Sequence, residues 1–269
     1  MELKNKWLVA SDIDGTLLDS QGTIPVRNIK AIESFVKAGG LFTIATGRSV
    51  NAIRHIIEQI TYNCPIIVLN GAAIYDFARE SYIWNHILDS SAKKIVRMVR
   101  EKFPQIGLEI YIGTRVVIPV MNTFVADQMQ YERLKYEEIS LDDIGDDDWL
   151  KVIFVGSELE VNAVASFLDT FGYDGAEFVR SAYCFYEMIP KGCSKGTALH
   201  HLADLCQIHH KYTAAIGDYF NDIELLRAAA FPAAAGQAPE AVLSLAKLKA
   251  CHCNEGSVAD LLEFMMQNQ

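Results

Sequence analysis

Two aspartates, Asp12 and Asp14, flank a single isoleucine in the stretch SDIDGT, directly after the apolar run Trp7-Leu8-Val9. Like charges that close together push one carboxyl toward its neutral form or demand a cation. A hard divalent cation such as Mg2+ meets the demand, because it takes a few carboxylates and fills its remaining positions with water and phosphate oxygens. Asp218 and Asp222, in GDYFND after a later apolar run, add oxygen ligands to the same expectation. The metal candidates are therefore Asp12, Asp14, Asp218 and Asp222, and the ion in turn predicts a phosphorylated substrate. An aspartate is also a nucleophile able to form an aspartyl-phosphate, and a second one beside it can handle protons.

Residues this far apart need a scaffold to gather them. Trp7–Ala10, Leu41–Ala45 and Pro65–Leu69 are continuous apolar runs. Between them, apolar residues recur at helical spacing: Ile29, Ile32, Phe35 and Val36 over 26–38, then Ile53, Ile56, Ile57 and Ile60 over 49–60. Apolar strands alternating with amphipathic helices predict a parallel sheet covered on both faces. Ligands bind such sheets at the carboxyl ends of the strands. Asp12, Thr46 and Asn70 each follow one of the three runs, and Asp218 follows a strand expected over 212–217. The four are thus expected to converge on one crevice.

From about residue 82 the texture changes. Two adjacent strands are expected over 107–120, another over 147–156 and two more over 177–190, with helices at 91–103, about 122–134 and 158–171. That mixture predicts an α+β insert with a partly antiparallel sheet. The acidic stretch LDDIGDDD (141–148) lacks the ligand spacing of a Ca2+ loop and reads as a solvated loop. After Pro190 the βα rhythm returns with a helix at 195–208, the strand at 212–217 and a helix at 221–229. A strand near 232–235, a helix at 239–248, a strand at 249–252 and a terminal helix complete it. The expected fold class is α/β: a Rossmann-like doubly wound parallel-sheet core, residues 1–81 and 188–269, interrupted by an α+β insert at 82–187.

The chain has 269 residues, 51 % of them hydrophobic, ample for a packed core. A net charge of −10, from 34 acidic and 24 basic residues, argues against nucleic acid or an anionic membrane as a general partner. Six cysteines fall without framework spacing, the N-terminal stretch carries no secretory signal, and no apolar segment is long enough to span a bilayer. A reducing, cytoplasmic compartment is expected.

Beside DIDGT (12–16), the chain carries ATGR (45–48), NGA (70–72), KGCSKG (191–196) and GDYFND (217–222). With these motifs in this order, it resembles the haloacid dehalogenase (HAD) superfamily of phosphatases, specifically the Cof-type members of subclass IIB, whose large α/β cap falls where the alternation breaks. The resemblance implies that Asp12 is the nucleophile and that Asp14 is the general acid for the leaving alcohol and then the base for water. It implies that Thr46, with backbone N–H groups near Gly47, holds the phosphoryl group, and that Lys195 neutralises charge beside the nucleophile. Mg2+ is implied to be held by Asp12, the Asp14 carbonyl and Asp218, with Asp222 and Asn221 close by. Gly47, Arg48, Asn70, Gly71 and Asn221 are the phosphate- or substrate-binding candidates, although a structural salt bridge is an equal expectation for Arg48. Substrates of the sugar phosphate, FMN or pyridoxal phosphate type are implied. Gln237 departs from the asparagine that relatives carry after the glycine of AAAGQAP (233–239).

Two other readings exist. Gly192-Cys193-Ser194-Lys195-Gly196 matches the G-x-S-x-G pattern of a serine hydrolase, with Asp218 or Asp222 and His252 in the right chain order. It leaves Asp12 and Asp14 unexplained, and Pro190 and Lys191 separate the serine from its strand. The fold could also serve a phosphometabolite-sensing regulatory protein, although the motifs are not degenerate. The adjacent pairs His200-His201 and His209-His210 point apart on a helix and do not suggest a metal site. Cys251 and Cys253 are expected to share one face of the last strand as core residues.

Overall fold

The computed structural model describes residues 5–145 and 148–268. Residues 1–4 of the N-terminal stretch and residues 146 and 147, where the acidic loop meets the strand expected from 147, lie outside the described residues. The chain runs through β1 (Leu8–Ser11), α1 (Val26–Lys37), β2 (Leu41–Ile44), α2 (Val50–Ile57), β3 (Ile66–Val68), β4 (Ala73–Asp76) and β5 (Ser81–Asn85). It continues as α3 (Ser90–Lys102), β6 (Gly107–Ile112), β7 (Arg115–Val120), α4 (Thr123–Tyr131), β8 (Trp149–Val155), α5 (Glu158–Phe171), β9 (Ala176–Ala182) and β10 (Phe185–Pro190). The last part is α6 (Lys195–Leu205), β11 (Thr213–Gly217), α7 (Ile223–Ala228), β12 (Phe231–Ala234), α8 (Glu240–Leu243), β13 (Leu248–Lys249) and α9 (Ser257–Gln267). Among the described residues no helix is long and apolar enough to cross a membrane.

The chain divides into two compact units: Met1–Gly47, Arg54–Trp84 and Ser194–Gln269 form one, and Arg48–Ile53 with Asn85–Cys193 the other. The first is built on a parallel sheet in the order β13-β12-β11-β1-β2. β3 joins its edge through a parallel bridge between Ala45 and Ile67. Alternate residues of a strand point to opposite faces. Leu8 and Ala10 of β1 accordingly pack with Ala198, Leu199 and Leu202 of α6 and Leu225 and Leu226 of α7. The intervening Val9 is equally buried, as a sheet covered on both sides requires. α1 and α9 pack together, with Asn28 accepting the Ala259 N–H at 2.9 Å. The strand order turns at β1, which has β2 on one side and β11 on the other, and such a switch point is where ligands bind in open α/β sheets.

The second unit holds an antiparallel sheet in the order β7-β6-β8-β10-β9. Leu108, Ile110 and Ile112 of β6 face a core completed by Val96 and Val99 of α3 and Val161, Val164 and Leu168 of α5. The alternate positions carry charge and are nonetheless buried: Glu109, Lys151 and Glu187 are each at most 2 % exposed. Lys151 Nζ lies 2.6 Å from Glu187 Oε2, and the Tyr111 hydroxyl donates to Glu109 Oε2 at 2.9 Å. Burial, reinforced by Glu132, pushes the Glu109 carboxyl up to about 8.

The expected α/β architecture, a Rossmann-like core with an inserted α+β cap, is the one the chain adopts. Three details differ. β4 and β5 form a sheet with β3 that the apolar pattern does not separate from its neighbours. α8 is a single turn over Glu240–Leu243 rather than a helix to 248, because the Lys247 N–H returns to the Pro232 carbonyl at 2.8 Å. β13 ends at Lys249, so Cys251 and Cys253 lie beyond it rather than sharing its face. The Cys251 N–H is held instead by Asp260 at 2.7 Å, and Cys253 opens a separate turn.

Candidate active site

The register of the parallel sheet places the site. Ser11 of β1 stands beside Ile44 of β2 and Ile216 of β11, so the next residues of all three strands emerge at one edge. The Asp12 N–H extends the ladder to the Ile216 carbonyl at 3.0 Å, and the Ala45 N–H reaches the Ser11 carbonyl at 2.8 Å. After Asp12 the chain makes a wide turn over Ile13–Leu17. Gly15 there has φ +75°, and a Cβ on it would stand 2.3 Å from Asp218 Oδ2. Only glycine tolerates both the conformation and the approach. Thr16 donates to Asp218 Oδ1 at 3.2 Å, tying the first motif to the fourth.

Lys195 opens α6, where Ser194 caps the helix by accepting the Thr197 N–H at 3.0 Å. The lysine side chain is fully buried, and Nζ donates to Asp12 Oδ1 and to Asp222 Oδ1, each at 2.6 Å. Asp222 uses its other oxygen to accept the N–H groups of Asp218 at 2.9 Å and Tyr219 at 3.2 Å. One carboxylate therefore orients both the lysine and the loop that carries Asp218.

Asp12, Asp218 and Asp222 bring carboxylate oxygens within 4.8 Å of one another. Burial raises the Asp12 carboxyl well above its ordinary range, and Asp222 adds to that while Lys195 opposes it. Burial and Asp222 likewise push Asp218 up to about 7. Burial works against the Lys195 charge, but Asp12 and Asp222 outweigh it and hold the ammonium protonated above its ordinary range. Two buried carboxylates and a partly buried one, with one ammonium among them, leave excess negative charge, and a donor set made only of oxygen fits a hard cation such as Mg2+.

A second group adjoins these residues in the first unit. Asn70 has φ +54°, its N–H reaches the Thr46 carbonyl at 2.9 Å, and its side chain accepts from Asn221 Nδ2 at 3.2 Å. Gly71 follows at φ +89°, where a Cβ would lie 2.1 Å from the Ser194 carbonyl oxygen. A Cβ on Gly47 would lie 3.0 Å from the Asn70 amide. Thr46, Gly47, Asn70, Gly71 and Asn221 are thus neighbours.

Asp14 is exposed. Arg48 belongs to the second unit and lays its guanidinium over the Tyr131 ring, 5.2 Å from the centroid. Ser194 Oγ is occupied with Thr197, and His252 caps a different turn, accepting the Asn254 N–H at 3.2 Å. His200 and His210 stack at 4.2 Å, the first bonded to the Ala228 carbonyl and the second to Asp204. Two residues given no role from the sequence also reach the site: Thr16, the last residue of DIDGT, and Gln237, read only as a departure. Gln237 reaches the Gly15 carbonyl, Asp218 and the Cys253 N–H.

The chain belongs to the haloacid dehalogenase-like hydrolases, whose family model matches residues 9–262. It is 25 % identical to a phosphatase of Bacillus subtilis, over 96 % of this chain and 99 % of that protein. It is 26 % identical to a 5-amino-6-(5-phospho-D-ribitylamino)uracil phosphatase of the same organism, over 82 % of this chain and 84 % of that one. Among solved structures, a HAD subclass IIB sugar phosphatase superposes with a TM-score of 0.85 at 22 % identity, covering 97 % of this chain and 99 % of that one. At that identity the likeness speaks for the fold, which is that of subclass IIB.

Proposed function

We propose that the chain is a Mg2+-dependent phosphatase that hydrolyses a small phosphorylated metabolite through an aspartyl-phosphate. The observation that carries this reading is the buried Asp12 carboxylate, held by Lys195 at 2.6 Å and facing Asp218 and Asp222 within 4.8 Å. Asp12, Asp14 through its carbonyl, and Asp218 would hold the ion, with Asp222 beside them. Bound there, Mg2+ supplies positive charge that lets an anionic nucleophile approach an anionic phosphate.

In the first step an Asp12 oxygen forms a bond to phosphorus as the bond from phosphorus to the leaving alcohol breaks. Asp14, exposed and one residue removed, gives that alcohol its proton. Water then attacks the same phosphorus, Asp14 takes its proton, and the Asp12–phosphorus bond breaks to release phosphate. Phosphoryl transfer is mainly positioning and charge neutralisation. Lys195 supplies a fixed cation, and Thr46, Gly47, Asn70, Gly71 and Asn221 supply hydrogen bonds around the transferred group, with Arg48 a further contact. Sugar phosphates, FMN or pyridoxal phosphate are the substrate types proposed; the phosphatase names carried by the relatives support the class. Six free cysteines support a reducing, cytoplasmic setting.

The test is hydrolysis of p-nitrophenyl phosphate with Mg2+ by the wild type and by Asp12→Asn, with acid-quench trapping of the phosphoenzyme. Turnover and trapped phosphate in the wild type, both absent in the variant, support the reading. Equal turnover by the two proteins, or turnover by neither, refutes it.

A further inference from the structure

The side-chain amide of Gln237 connects three segments. Its Nε2 donates to the Gly15 carbonyl in the turn after β1 and lies 3.5 Å from Asp218 Oδ2 at the end of β11. Its Oε1 accepts the Cys253 N–H, beyond β13, at 3.1 Å. Gln237 itself is placed by backbone bonds on either flank: Ala235 N–H to the Gly217 carbonyl at 3.1 Å, and Gly236 N–H to the Cys251 carbonyl at 3.0 Å. A primary amide has two N–H donors and one acceptor oxygen, and here each kind is engaged.

The consequence falls on Asp218. Its Oδ1 accepts from Thr16 and its Oδ2 faces Gln237, while Gly15 packs against the carboxylate too closely for any other residue. The carboxylate is thereby contacted at both oxygens by residues from two other segments. Partners that orient a ligating carboxylate typically change metal affinity by about 10- to 100-fold when removed. We propose that Gln237 is a positioning residue that sets the Asp218 carboxylate and the first-motif turn in register for Mg2+. This rests on the reading of Asp12 and Asp218 as the Mg2+ site.

The experiment is calorimetric titration of metal-free protein with Mg2+ alone, for the wild type, Gln237→Met and Gln237→Asn, alongside the Mg2+ dependence of p-nitrophenyl phosphate turnover. Methionine keeps the length and loses the hydrogen bonds, whereas asparagine keeps the amide but falls about one methylene short. The expected result is a Mg2+ dissociation constant raised about tenfold in Gln237→Met, with a smaller rise in Gln237→Asn. The turnover deficit of both variants should shrink as Mg2+ is raised. Melting in EDTA separates this from general loosening, which would lower the melting temperature without moving Mg2+ affinity. Unchanged Mg2+ affinity in both variants overturns the proposal while leaving the phosphatase reading intact. A wild type that binds no Mg2+ overturns both.

Discussion

Replacing Lys195 by methionine removes one charge and little volume from the most buried part of the site. In the wild type the ammonium bridges Asp12 and Asp222 at 2.6 Å each, with none of its side chain exposed. Without it, two carboxylates whose oxygens lie within 4.8 Å face each other directly. At that separation and an effective dielectric near 20, the repulsion is about 3–4 kcal/mol. Removing one partner of a buried ion pair costs about 3–5 kcal/mol in measured cases, so the two routes agree. For a chain of this size that is a loss of about 10 °C in melting temperature.

The chain can relieve the strain by protonating Asp12, whose carboxyl already lies well above its ordinary range through burial and Asp222. A carboxyl raised in the folded state binds its proton more tightly there than in the unfolded chain. Its folded form is therefore favoured at low pH and loses stability as pH rises through the raised value. In metal-free buffer the gap between wild type and Lys195→Met should thus be small near pH 5 and widen toward pH 8. Protonation also removes the proposed nucleophile, so kcat/KM should fall by about 10²–10³ or more at pH 7. The double variant Lys195→Met/Asp222→Asn should recover much of the stability and none of the turnover. Urea melts across pH and steady-state kinetics with Mg2+ read both effects. Turnover within threefold of wild type, or a stability gap independent of pH, would refute the reasoning.

Three further outcomes are expected. Glu109→Gln should flatten the pH dependence of stability, because the wild-type carboxyl, raised from 4.5 to about 8, withdraws stability as pH climbs through that window; urea midpoints from pH 5 to 9 measure it. Gly71→Ala should destabilise the protein by at least about 2–3 kcal/mol, since the new Cβ would lie 2.1 Å from the Ser194 carbonyl at a φ of +89°; chemical denaturation reads it directly. EDTA should abolish p-nitrophenyl phosphate turnover, and added Mg2+ should restore it, while a mechanism resting on Ser194 would be indifferent to both.

How much of this was legible in the chain depends on whether a residue acts through its strand or through a partner distant in sequence. The apolar runs before Asp12, Thr46 and Asn70, with helical spacing between them, were enough to place those residues at one sheet edge. The β4–β5 sheet was missed because Ala73–Asp76 follows β3 after only a short turn, and apolar pattern alone does not mark where one strand stops. Charged residues at alternate positions of β6, β8 and β10 have the spacing of a solvated face, yet Glu109, Lys151 and Glu187 are buried, Lys151 paired with Glu187 and Glu109 bonded to the Tyr111 hydroxyl. Gln237 showed only as a departure from a familiar residue. Its three contacts lie 222, 19 and 16 residues away, and no local rule reaches that far.

The four aspartates of the two motifs are chemically identical in the sequence, and the fold makes them different. Asp222 has both oxygens engaged, by Lys195 on one side and by two backbone N–H groups on the other, so it acts as a bracket that holds the ammonium against Asp12. Asp218 accepts from Thr16 and faces Gln237, and its carboxyl is pushed up to about 7 by burial and by Asp222. Asp12 is buried beside the lysine, and burial with Asp222 raises its carboxyl well above the ordinary range while Lys195 opposes that. Asp14 is exposed, although its charge still acts on Asp12, and that exposure is consistent with the proton-transfer role proposed for it. Burial and hydrogen-bond partners, rather than residue type, distinguish them.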